Sequence, residues 1–177
     1  PARNIQSYVS DGLGNVRLMV TSSANDEGTM RGVFTHFYRK VGERDWQKLG
    51  TYVMDEDEES INPLAVDPII DAAYVLKKLD GRDALYRVAL DGSLKTELVF
   101  ASKEVDVAGV VTVGRGGRVI GASFSTDRPQ VEYFDPEYRA VARQIAQALP
   151  KLPIIQFAGA SADEQTLLIY AASDVDP

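Results

Sequence analysis

Short apolar segments separated by turns too tight to hold a helix recur along this chain, and that recurrence restricts its fold more than any other feature. The clearest unit lies between Ala73 and Ala101. Residues 73–79 form a β-type run, Asp80-Gly81-Arg82-Asp83 a turn, 85–90 a strand of alternating character, Asp91-Gly92-Ser93 a second turn, and 96–101 a third strand. Glycine supplies positive φ, and Asp and Ser bond their own backbone, as tight antiparallel connections require. The same grammar returns at 16–22, 33–38 and 46–52, again at 119–125 and 131–134, and finally at 166–172. Lead strands starting near residues 16, 73, 119 and 166 are spaced by roughly 45 to 57 residues, the period of propeller blades. The fold expected is all-β: a partial β-propeller of about three and a half four-stranded antiparallel blades. The blade-like units would cover 10–55, 61–102, 105–158 and an incomplete 159–177.

Turns rich in Ser, Asp and Gly precede several lead strands: Ser10-Asp11-Gly12, Gly114-Arg115-Gly116-Gly117 and Ser161-Ala162-Asp163-Glu164. The apolar runs before the last two, 105–113 and 154–158, read as strands that pair with the lead strand across the turn. One segment breaks the pattern. Asp135 can cap a helix and Pro136 suits its first turn. Tyr138, Val141, Ala142, Ile145, Ala148 and Leu149 fall at helical spacing, and Pro150 and Pro153 stop it. A helix is predicted at about 136–149, inserted between two strands of the third blade, with Glu137, Arg139, Arg143 and Gln144 outward.

Composition narrows the chemistry. Hydrophobic residues make up 45% and charged residues 25% of the 177, which suits a packed core. A net charge of −7 disfavours nucleic acid and anionic membrane surfaces as partners. With no Cys and one His, disulfides, Cys-type zinc sites, thiol catalysis and multi-His metal sites are ruled out. The absence of Cys fits cytoplasm and periplasm equally well. No apolar run approaches the roughly 20 residues that a spanning helix needs. Pro1 at the start, and the turn sequence of residues 173–177 directly after an apolar run, are what a piece of a longer chain would have.

Candidate reactive groups are few. Serine hydrolases present their nucleophile in Gly-x-Ser-x-Gly, but Gly121-Ala122-Ser123-Phe124-Ser125 and Gly159-Ala160-Ser161-Ala162-Asp163 each lack the final Gly. Both serines read as strand or turn residues. His36, the sole imidazole, reads as structural, with Phe34 and Tyr38 on its side of a strand. Gly114-Arg115-Gly116-Gly117 lacks the Lys-Ser/Thr of a phosphate loop and precedes a strand, so it reads as a hairpin turn; Arg115 and Arg118 beside it could hold an acidic group. The acidic stretch 55–60 reads as a solvated loop, because a calcium loop needs a Gly that is missing there. A carboxylate pair of the glycosidase kind depends on a distance that sequence does not give. No catalytic, cofactor-binding or metal-binding residue is assigned.

Several of these segments resemble the N-terminal β-propeller of prolyl-oligopeptidase-type serine peptidases, the acylaminoacyl-peptidase and dipeptidyl-peptidase group. They are 85–92 (Leu-Tyr-Arg-Val-Ala-Leu-Asp-Gly), Ser125 to Pro129 with Tyr133 to Pro136, and 161–173. The helix after Asp135-Pro136 is similar to an insertion in some bacterial members. The resemblance implies a non-catalytic propeller that gates and positions peptide substrates for a C-terminal α/β-hydrolase domain, which carries the Ser, Asp and His. It implies no cofactor, and a peptide as the ligand. Similar turns and strands occur in TolB-like propellers, so a stand-alone protein-binding scaffold is the other reading. Propellers of the peptidase family have seven or eight blades. An arc of half that size leaves blade faces open, so self-association of the piece is expected.

Overall fold

The computed structural model describes residues 4–24, 30–54, 60–152 and 154–173. Its strands group into four antiparallel sheets, each built from consecutive strands. The first holds β1 (Asn4–Ser10), β2 (Val16–Ala24), β3 (Met30–Tyr38) and β4 (Gln47–Val53), in that order. The second holds β5 (Asn62–Asp67), β6 (Ala72–Leu79), β7 (Arg82–Ala89) and β8 (Thr96–Phe100). The third holds β9 (Val107–Val113), β10 (Arg118–Ser125) and β11 (Pro129–Tyr133). Helix α1 (Pro136–Ala148) follows, and β12 (Ile154–Ala160) pairs with β13 (Leu167–Ala172) as the fourth sheet. The architecture is an all-β partial propeller with one helix, and no sheet closes among the described residues.

Local chemistry accounts for these elements. Leu79 pairs directly with Arg82, leaving Asp80 and Gly81 as a two-residue loop with φ of 52° and 80°. Positive φ at both positions is the primed turn whose twist matches that of the flanking strands. At α1 the Asp135 carboxylate accepts from the Glu137 and Tyr138 amides, with Pro136 in the first turn. Two strands, β1 and β5, have no clear period-two signature in the sequence. β1 is exposed along almost its whole length, and β5 is interrupted by Pro63 and a register shift next to it. The first sheet therefore begins at Asn4, ahead of the expected residue 10. Helix α1 lies between the third and fourth sheets, not between two strands of the third, because β12 bonds to β13.

The sheets pack face to face in sequence order. Leu18, Tyr38 and Leu49 of the first meet Val66, Ala73, Val75 and Val88 of the second. The opposite face of the second, with Tyr74, Leu76 and Leu85, meets Val107, Val119 and Ala122 of the third. Val113, Ile120 and Tyr133 then pack with Tyr138 of α1 and Phe157 of β12. The second sheet is thus covered on both faces, which is why Ala72 to Leu76 form an unbroken apolar run. First strands touch in the order β1, β5, β9, β12, so they surround a common axis. At the far end, Leu168 and Tyr170 point away from the last core, at 66% and 47% exposure.

Near the axis the first and third sheets meet across the second. Gly12 has φ +71°, and a Cβ there would lie 2.2 Å from the Arg115 carbonyl oxygen. Gly42 has φ +77° but open space around it. Gly12→Ala is expected to cost about 2 kcal/mol or more in urea unfolding, against about 1 kcal/mol for Gly42→Ala. Equal losses would contradict the contact between the two hairpins.

Candidate functional site

The first strands and the hairpins that follow them enclose a groove of about 470 Å³ on the inner side of the arc. Its walls are Val9 to Gly12, Leu64 to Val66, and Gly114 to Gly117 with Val110 and Thr112. Buried Asp11 shapes one rim. Its carboxylate accepts from the Leu13 and Asn15 amides at 2.8 and 3.1 Å and from Asn15 Nδ2 at 2.8 Å. Burial alone would raise its pKa, but these bonds and Arg17 hold it below the usual carboxylate value. Asp11 is therefore a loop-forming anion with its bonding capacity largely used. Asp67, also buried, accepts from Ile69 N with one oxygen and from Val119 N with the other, tying the second sheet's first hairpin to the third sheet.

The two arginines flanking the Gly-rich hairpin part company. Arg115 is exposed at the axial groove. Arg118 is turned into an ion-pair network. Its Nη2 lies 2.6 Å from Glu164 Oε2, its Nη1 2.6 Å from Asp135 Oδ2, and its Nε 3.3 Å from Glu164 Oε1. Tyr138 Oη donates to Glu164 Oε2 at 3.1 Å. Arg118 holds Glu164 below its ordinary pKa; burial would raise Asp135, but Arg118 and the helix amides more than offset it. Burial, helped by the Glu164 carboxylate, pushes the Tyr138 phenol up to about 12. Two ionised carboxylates clamped by one guanidinium offer no proton to give or take. This network joins the third sheet, α1 and the fourth sheet, and Arg118 is not available to a ligand.

The other candidates also have structural places. Ser123 lies within β10, opposite Gly109 and Val131. Ser161 Oγ donates to Asp163 at 2.6 Å and accepts from Thr166 N at 3.0 Å, closing the β12–β13 hairpin. Gly114 to Gly117 is a hairpin turn between β9 and β10. His36 sits in β3 between Val20 and Gly50, 6% exposed, and neither ring nitrogen has a hydrogen-bond partner. Desolvation lowers its pKa to about 4, so the ring stays neutral. No serine or carboxylate bonds to it, as a catalytic base would require. Residues 55–59 of the acidic stretch lie outside the described residues; Ser60, which ends it, exchanges bonds with the Val53 backbone. Among the described residues, no group of three or more His, Cys, Asp or Glu could hold a metal ion.

The sequence places Glu137, Arg139 and Arg143 on the outer face of α1 but does not show the two grooves that they border. One side is a groove of about 520 Å³ carrying Glu137, Asp163 and Glu164. The other, of about 370 Å³, carries Arg128, Arg139 and Arg143. Arg139 and Arg143 are four apart on the helix, a visible signal of one face, but Arg128 joins them only through the fold. No family model, curated protein or solved structure matches the chain.

Two measurements follow from this geometry. His36 is the only His, and its pKa falls from 6.5 in the unfolded chain to about 4 in the fold. Protons therefore bind the unfolded state first. Stability is complete above about pH 6.5 and falls by about 3 kcal/mol as pH drops toward 4. In His36→Leu the loss between about pH 6.5 and 5 should vanish, since the carboxylates titrate lower. A wild-type curve that is flat there would contradict the sealed imidazole. Arg118→Gln should cost about 2 kcal/mol and lower amide-exchange protection in β12 and β13, leaving the second sheet unchanged. Uniform loss over all sheets would contradict a local clamp.

Proposed function

We propose that this chain is the non-catalytic β-propeller portion of a serine peptidase of the prolyl-oligopeptidase type, gating and positioning peptides for a hydrolase domain. The observation that carries the reading is the axial groove formed by consecutive first strands, with its mouth bordered by the turns at Asp11 and Gly114. A groove on the axis of stacked sheets is where a propeller can admit an extended peptide and exclude a folded one. The resemblance of 85–92, 125–129 with 133–136, and 161–173 suggests the family. The state of the reactive residues agrees with chemistry supplied from elsewhere: His36 is sealed and Ser161 is spent on its own turn.

A second reading, a TolB-like scaffold that binds a protein partner by its rim, draws on the oppositely charged grooves beside α1. The basic groove runs along the edge strand β11, and the acidic one lies between α1 and the β12–β13 hairpin.

Active-site labelling separates the readings. Natural full-length protein treated with a fluorophosphonate should carry the label on one serine outside residues 1–177, and this chain alone should carry none. A labelled serine inside 1–177 would contradict a non-catalytic role. A full-length protein without any reactive serine would leave the scaffold.

A further inference from the structure

The groove between β11, α1 and β12 reverses the charge of the molecule around it. The chain as a whole carries −7, yet three arginines and no carboxylate line this groove. Arg139 is occupied: it donates to the Tyr133 carbonyl and pairs with Glu132 at 3.1 Å. Arg128 and Arg143 have no ion-pair partner among the described residues and are exposed. Clustering uncompensated guanidinium groups costs Coulomb energy, which a bound anion relieves. The floor is apolar, built from Val131, Ala142, Ala146, Ile154 and Ile155.

Tyr133 also lines the groove, 6% exposed, with its ring edge-on to Phe157 and its hydroxyl turned to the Phe157 backbone. β11 is in addition an edge strand, paired on one side only with β10. Its other edge borders the groove with α1 and β12 alongside, and the Tyr133 carbonyl is taken by Arg139.

We infer that this groove binds an extended acidic peptide segment, with carboxylate side chains at Arg128 and Arg143 and apolar side chains on the Ile154–Ile155 floor. The Glu137 and Asp163 side of α1 carries the opposite charge, so the helix gives the surface a polarity that fixes which way an acidic segment can lie. This site runs along the edge strand β11. It stands or falls independently of whether the axial groove serves a peptidase.

Fluorescence anisotropy tests it, with a fluorescein-labelled hexapeptide alternating leucine and glutamate and with matched glutamine and lysine peptides. The glutamate peptide should bind about tenfold more tightly than the glutamine peptide, and the lysine peptide not measurably. Raising salt from about 50 to about 500 mM should weaken the glutamate complex. The double variant Arg128→Gln/Arg143→Gln should lose about tenfold in affinity while keeping its circular dichroism, since neither side chain has an internal partner. Glu137→Gln, on the other flank, should bind as the parent does. Equal binding of glutamate and lysine peptides, or undiminished binding by the folded double variant, would overturn the site.

Discussion

Arg17 and Arg118 do the same job two sheets apart, and the arc depends on it. Each lies at the beginning of the second strand of its sheet and reaches into the first hairpin of the next. Arg17 Nη2 meets Asp71 Oδ1 at 2.5 Å, and its Nε donates to the Arg39 carbonyl at 2.7 Å. Arg118 meets Glu164 in the corresponding hairpin of the fourth sheet. Asp71 and Glu164 both stand at positive φ, 49° and 57°, a conformation that side chains rarely adopt and that aims each carboxylate back at the arginine. Between the second and third sheets Ala72 and Ala73 leave no arginine, and the Asp67 bond to Val119 N takes over. Apolar packing brings the sheets together without setting their angle; these polar ties fix which hairpin faces which strand.

That arrangement explains why Glu164 and His36 are not free for acid–base chemistry. A hairpin acid committed to a neighbouring sheet cannot act as a general base, and a buried imidazole without partners cannot relay a proton. Recognition can still occur where sheets leave grooves: at the axis, lined by first strands, and along α1, which takes the place that a fourth strand holds in the first two sheets. Leu168 and Tyr170 on β13 form the kind of face that another blade covers in a propeller.

Much of the fold was legible in the sequence because turn chemistry is local. Asp80-Gly81 announces its hairpin, and Asp135-Pro136 announces the helix, which runs from Pro136 to Ala148. The strands that were hard to see are those without a one-sided pattern: β1, whose side chains face solvent, and β5, with Pro63 and a shifted register. The site was less legible, because its members come from separate sheets. Arg118 looked like an anion binder beside a glycine-rich turn, and nothing local shows that Glu164, 46 residues later, already occupies it. Arg128 meets Arg139 and Arg143 only after β11 and α1 fold back on each other.

The most direct test of the account is a double-mutant cycle on Arg17→Gln and Asp71→Asn, read by urea unfolding. Arg17 is 1% exposed and Asn tolerates the left-handed backbone, so the cycle isolates the tie between the first two sheets. The account predicts a coupling of about 1.5 kcal/mol or more between the two sites. Additive losses would contradict it, and with it the picture of sheets held in order by arginine ties.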